Sequence, residues 1–117
     1  MIKVLIADDE FRICELIRHL VRWEDYDMEV VGVALDGIEA IHFIEDNEVD
    51  LLITDIRMPG YGGLELIKKG REVRPDLIYL IISGYSQFSY AQEAVHLGVV
   101  DYLQKPVNKK ELEQSLT

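Results

Sequence analysis

The sequence predicts a doubly wound α/β domain, a single parallel sheet with helices on both faces. Three observations predict it: five apolar runs of strand length, a polar or glycine-containing break after each, and helical apolar spacing in the segments between them. The runs fall at residues 2–7, 29–34, 50–54, 77–83 and 99–103. After the first run, Ile13, Leu16, Ile17, Leu20 and Val21 stand at i, i+3, i+4, i+7 and i+8, one face of a helix. Ile38, Ile41 and Ile44 mark a second helix, Leu64 and Ile67 a third, and Ala91, Ala94 and Val95 a fourth. A last helical pattern starts near Lys109 and reaches Thr117, as expected of a helix that continues in a longer protein. One element carries a local conflict. Gly70 takes a place in the third helix where the spacing calls for an apolar residue, and a mid-helix glycine costs about 1 kcal/mol relative to alanine.

Runs that are apolar on both faces and alternate with helices belong to a parallel sheet covered on two sides, with right-handed crossovers. The five-strand solution is the flavodoxin-like order 2-1-3-4-5, a (βα)5 arrangement that makes the first and third strands neighbours. The first strand ends in Asp8-Asp9-Glu10 and the third ends in Asp55. These acids should therefore converge at the C-terminal edge of the sheet, where open α/β sheets assemble their sites.

A chain of 117 residues is one domain, residues 1–117, large enough to bury a core without disulfides or structural metals. Twelve basic against twenty-two acidic residues give a net charge of -10, which opposes nucleic-acid binding by this chain itself. Cys14 has no second cysteine to pair with, and His19, His42 and His96 lack metal-ligand spacing. With no signal peptide and no apolar run of membrane-spanning length, the sequence reads as a soluble, cytoplasmic domain.

Carboxylates crowded into one pocket repel one another unless a proton or a cation joins them. A carboxylate can also attack phosphorus, provided that the phosphoryl oxygens are neutralised as charge builds on them. Magnesium suits that task, since it needs only one or two carboxylates plus a phosphoryl oxygen and keeps several waters. Asp9 and Asp55 can supply the carboxylates. Two further groups stand at strand ends: Ser83, whose hydroxyl can donate to a phosphoryl oxygen, and Lys105, whose ammonium can reach another. Each feature has a plainer use taken alone. Asp9 is a fair N-cap for the helix that follows, and Asp55 before Met58-Pro59-Gly60 is a fair turn former. Trp23 and Phe43 read as packing residues with no cofactor role.

Taken together, Asp8-Asp9-Glu10, Asp55 with Met58-Pro59 and Gly62-Gly63, Ser83-Gly84, and Tyr102 with Lys105-Pro106 resemble the receiver domain of bacterial two-component response regulators. The resemblance implies that Asp55 accepts a phosphoryl group from the phosphohistidine of a sensor histidine kinase. It implies that Mg2+, or Mn2+ in its place, is held by Asp9, Asp55 and the backbone carbonyl of Arg57, with Asp8 acting through a water. Ser83 and Lys105 would bind phosphoryl oxygens. Movement of Ser83 would let Tyr102 turn inward and change the face made by the fourth helix, the fifth strand and the fifth helix, a possible homodimer surface. A cis Lys105–Pro106 bond is implied as well.

A finer resemblance runs from Ser83 to Val107 and includes Trp23. It is similar to receivers of the YesN-like class, which precede AraC-type DNA-binding domains, so such a domain is expected C-terminal to this chain. Phe11 and Arg12 are candidates for kinase contact by position, and Tyr85, Phe88 and Tyr90 for an apolar partner patch. Arg57 and Tyr85 lie two residues after Asp55 and Ser83, beside the path of an in-line water, where bulk should slow hydrolysis of an acyl phosphate. A haloacid-dehalogenase-type phosphatase would need an aspartate where Arg57 stands. A flavodoxin would place its anionic phosphate against Asp8-Asp9-Glu10, which repel it. A pseudo-receiver, an interaction module that is never phosphorylated, remains the alternative.

Overall fold

The computed structural model describes residues 1–84 and 96–116. Five strands, β1 (Ile2–Ala7), β2 (Met28–Ala34), β3 (Leu51–Thr54), β4 (Ile78–Ser83) and β5 (Asp101–Gln104), form one sheet in the order β2-β1-β3-β4-β5. Every pairing is parallel, as the crossover argument requires. Helices α1 (Phe11–Leu20), α2 (Gly37–Asp46) and α3 (Gly63–Val73) follow the first three strands, and a C-terminal helix spans Lys109–Leu116. The predicted fourth helix, with Ala91, Ala94 and Val95, lies outside the described residues.

Alternation along each strand divides the core into two layers. Val4 and Ile6 of β1, with Ile53, Leu80 and Ile82, face Cys14 and Ile17 of α1 and Leu112 of the C-terminal helix. Leu5 and Ala7, with Leu52, Tyr79 and Ile81, face Ala40 and Ile44 of α2 and Leu66 and Ile67 of α3. Residues one apart on the same strand thus bury against opposite helix layers, which is why the runs read as continuously apolar.

The structure adds one element to the sequence expectation and shifts the start of the last strand. A 3-10 turn, Trp23–Tyr26, follows α1. The buried Trp23 donates its indole N–H to the Arg18 carbonyl at 2.9 Å and so satisfies an otherwise orphaned group at the helix end. The last strand joins the ladder at Asp101, two residues later than its β-branched run begins, and Val100 remains 56% exposed. Strand propensity marks Val99 and Val100, but pairing decides the boundary.

Gly70 has a packing reason. A Cβ at this position would lie 3.0 Å from the Tyr79 hydroxyl and 3.3 Å from Leu77 Cδ2, so the missing side chain is what admits the tyrosine. Tyr79 is fully buried, and among the described residues its hydroxyl has no hydrogen-bond partner. Burial pushes its pKa up to about 12, with Arg71 opposing the shift; that guanidinium lies over the ring, 5.1 Å from its centroid. Tyr79→Phe should therefore stabilise the domain by about 1 kcal/mol, since it removes a buried hydroxyl without a hydrogen-bond partner among the described residues. Gly70→Ala alone should bring no gain, but in the Tyr79→Phe background the helix-propensity benefit should emerge. Thermal unfolding of the two single variants and the double variant checks this; strictly additive effects would sever the link between the two positions.

Candidate functional site

β1 and β3 end side by side, with Ala7 paired to Thr54, so the next residue on each strand is an aspartate. Asp55 N–H donates to the Ala7 carbonyl at 3.1 Å and Asp8 N–H to the Ala34 carbonyl at 3.0 Å, which carries the sheet register into the site. One carboxylate oxygen from each of Asp8, Asp9 and Asp55 lies within 4.8 Å of the others. Asp8 and Asp55 are 2% and 5% exposed, whereas Asp9 is open to solvent.

The cation that crowded acids demand is present in the chain. Lys105 Nζ, delivered by the segment after β5, lies 2.8 Å from Asp8 Oδ2 and 2.9 Å from Asp55 Oδ2. The remaining oxygens of these two acids accept from neighbouring backbone: Asp8 Oδ1 from Glu10 N–H at 2.9 Å and Asp55 Oδ1 from Ile56 N–H at 2.7 Å. Each carboxylate is thereby oriented at both ends. The N-cap position of α1 is Glu10, with no side-chain capping bond, so the plain helix-cap reading of Asp9 does not hold.

Burial raises the Asp8 pKa above the ordinary 3.8, against the lowering effect of the Lys105 and Glu10 hydrogen bonds. Burial pulls the Lys105 pKa down, but hydrogen bonds to Asp8 and Asp55 and the charges of both more than offset it, so the net shift is upward. The ammonium stays charged because two acids share it.

A cavity of about 430 Å3 opens over this cluster, lined by Asp9, Glu10, Asp55, Arg57, Gly84 and Lys105. Ser83 ends β4 and is fully buried, while Gly84 beside it lines the cavity; the Ser83 carbonyl accepts from Lys105 N–H at 2.8 Å. Arg57 is exposed at the cavity wall. Tyr102 is half-buried on β5, opposite Ile81, and packs against the α2–α3 layer of the core. Tyr85 lies outside the described residues, as do Phe88 and Tyr90. The Lys105–Pro106 bond is cis, as expected. Phe11, at the start of α1, is 56% exposed.

Sequence reasoning missed two groups here. The Thr54 hydroxyl donates to the Asp55 carbonyl at 2.9 Å, and Gly63 N–H donates to the Ile56 carbonyl at 2.6 Å, closing the loop that follows the acid. Gly62-Gly63 was visible as a motif, but its task of approaching the Asp55 backbone is a tertiary property.

Three carboxylates against one ammonium leave an excess of negative charge, and oxygen donors of this kind suit a hard divalent cation. The cluster can hold a metal ion.

A five-stranded 2-1-3-4-5 sheet with an acidic pocket and a lysine at its C-terminal edge defines a class of signalling domain, and the chain belongs to it: residues 4–117 match the response regulator receiver domain family. Among its relatives is the uncharacterized transcriptional regulatory protein YesN of Bacillus subtilis, 40% identical over 116 residues, covering 99% of this chain and 32% of that protein. The transcriptional regulatory protein HptR of Staphylococcus aureus is 38% identical over 113 residues, covering 97% of this chain and 44% of HptR. The chain thus spans less than half the length of these curated relatives. A solved structure, the REC domain of AraT, a response regulator from Geobacillus stearothermophilus, is 46% identical with a TM-score of 0.91, covering 97% of this chain and 88% of that one. Family membership sets aside the phosphatase and flavodoxin readings. Among the described residues no helix is long and apolar enough to cross a membrane.

Proposed function

We propose that this receiver domain is a phosphorylation-activated switch in which Asp55 takes a phosphoryl group from the phosphohistidine of a sensor histidine kinase. The observation that carries the reading is the convergence of Asp8, Asp9 and Asp55 on one another beside Lys105 at the open end of the sheet. A carboxylate oxygen of Asp55 forms the new O–P bond as the P–N bond breaks, and the imidazole leaves with that electron pair. Asp9, Asp55 and the Arg57 carbonyl would hold Mg2+, with Asp8 acting through a water. Bound there, the ion supplies neutralising charge to the phosphoryl oxygens. Lys105 gives up its contact with the attacking oxygen and meets a phosphoryl oxygen instead, and the Ser83 hydroxyl donates to another. Arg57, with Tyr85, shields the acyl phosphate from water.

The domain's catalysis is confined to its own phosphorylation and dephosphorylation. Its output is a change at the face around Tyr102, passed to a C-terminal DNA-binding domain of the AraC type in the full-length cytoplasmic protein, with dimerisation through that face. The names of the relatives support a transcriptional role. Incubation with acetyl phosphate, with and without Mg2+, followed by intact-mass measurement, tests the reading. One Mg2+-dependent phosphoryl adduct is expected in the wild type and none in Asp55→Asn, and decay of the adduct after donor removal reads its lifetime. No adduct in the wild type would favour the unphosphorylated pseudo-receiver.

A further inference from the structure

The loop between β3 and α3 leaves Asp55, carries Arg57 and returns at Gly63. It is pinned at its near end by the Gly63 N–H to Ile56 carbonyl bond of 2.6 Å. Its far anchor lies in a different element: the N–H of Gly37, the first residue of α2, donates to the Pro59 carbonyl at 3.2 Å. Arg57 therefore sits between two tethered residues, Ile56 and Pro59. Gly37 does more than donate. A Cβ there would fall on the Tyr61 carbonyl oxygen and within 2.7 Å of the Tyr61 Cβ, so the backbones of α2 and the loop touch where only glycine allows it. One residue on, Ile38 packs against Gly60, where an added Cβ would lie 3.0 Å from Ile38 Cγ1.

Gly37 lacks the positive φ that would explain a glycine by backbone conformation. In open space alanine would serve the first turn of a helix better. The close approach to the loop is what the position requires.

We infer that Gly37 is a positioning residue for the metal site: by holding Pro59 and Tyr61 against the start of α2, it sets where the Arg57 carbonyl points. The inference rests on the reading above that this carbonyl is a Mg2+ ligand. A side chain at position 37 moves the loop outward and withdraws that ligand, while Asp8, Asp9 and Asp55 stay in place at the ends of their strands.

The test uses Gly37→Ala, with Mn2+ binding followed by electron paramagnetic resonance and thermal unfolding measured alongside. Folded Gly37→Ala should bind Mn2+ about ten-fold more weakly, the size seen when a group that orients a metal ligand is lost. Its phosphorylation by acetyl phosphate should need correspondingly more Mg2+ for half-saturation yet approach the wild-type rate at saturation. A purely structural role would lower the unfolding temperature without moving the half-saturation point. Folded Gly37→Ala with wild-type Mn2+ affinity overturns the inference and leaves the proposed function standing. Wild type that binds Mn2+ no better than Asp9→Asn removes both. If Gly37→Ala does not fold, amide exchange decides on the wild-type chain: the Gly37 N–H should exchange more slowly with saturating Mg2+ than without it, and an unchanged rate overturns the inference.

Discussion

Replacing Lys105 with methionine should lower the unfolding temperature of the metal-free domain by roughly 10 °C at neutral pH and abolish useful phosphorylation. The ammonium is bonded to two carboxylates whose side chains are 2% and 6% exposed, so its loss leaves two nearly buried negative charges facing each other. Breaking such a cluster by removing one partner costs about 3–5 kcal/mol when it is fully buried; Lys105 is 20% exposed, and about 2 kcal/mol is the better expectation here. Two rescues identify the cause. Mg2+ should restore much of the lost stability by taking over the ammonium's place, and acid should restore part of it by protonating Asp8.

The alkaline limb carries a sign of its own. The Lys105 pKa is raised above 10.5 in the folded state, so its stabilisation is complete below that value and is lost as pH rises through the folded pKa. The wild type should show this alkaline loss and Lys105→Met should not. Circular-dichroism melts across pH, with and without Mg2+, measure all three effects. A variant as stable as the wild type at neutral pH without metal would show that solvent in the cavity already screens the acids.

The second large effect has the opposite sign. Asp8→Asn should raise the stability of the metal-free domain, by about 1 kcal/mol or some 4 °C, while crippling phosphorylation. An asparagine oxygen can still accept from Glu10 N–H, so the local turn survives. What disappears is the cost of ionising a buried carboxyl. Because the folded-state pKa of Asp8 lies above 3.8, the native protein holds a proton that the unfolded chain has released, and stability falls as pH rises through that window. Asp8→Asn should flatten this fall. Mg2+ should reverse the order, stabilising the wild type more than the variant; if it stabilises both equally, Asp8 plays no part in holding the ion.

The strands and their order were legible because apolar runs separated by helices leave few packings, and the observed sheet differs from the expected one only at boundaries. Convergence of Asp8, Asp9 and Asp55 was legible for the same reason, since residues at the ends of adjacent parallel strands must meet. The contact of Lys105 with both Asp8 and Asp55 was not: sequence placed the lysine near a phosphoryl oxygen and did not say where it rests without one. Gly70 and Gly37 were opaque because each is explained by a side chain or loop from elsewhere in the chain, Tyr79 for one and Tyr61 for the other. Trp23 read correctly as a packing residue, while the 3-10 turn around it carries no periodicity to detect in four residues. Of the residues expected to tune the site, Tyr85 lies outside the described residues.

Lys105 gives the pocket an occupant that can never diffuse away. Asp8 and Asp55 fasten their second oxygens to backbone N–H groups that are independent of the lysine, so a cation could be exchanged at the other oxygens without rebuilding the loops. The pocket thus behaves as an ion exchanger with one exchangeable ion on a leash. Any incoming divalent ion competes with a tethered rival at high effective concentration. A divalent ion held by these acids would accordingly bind less tightly than at three bare carboxylates, and would leave again the more readily for it.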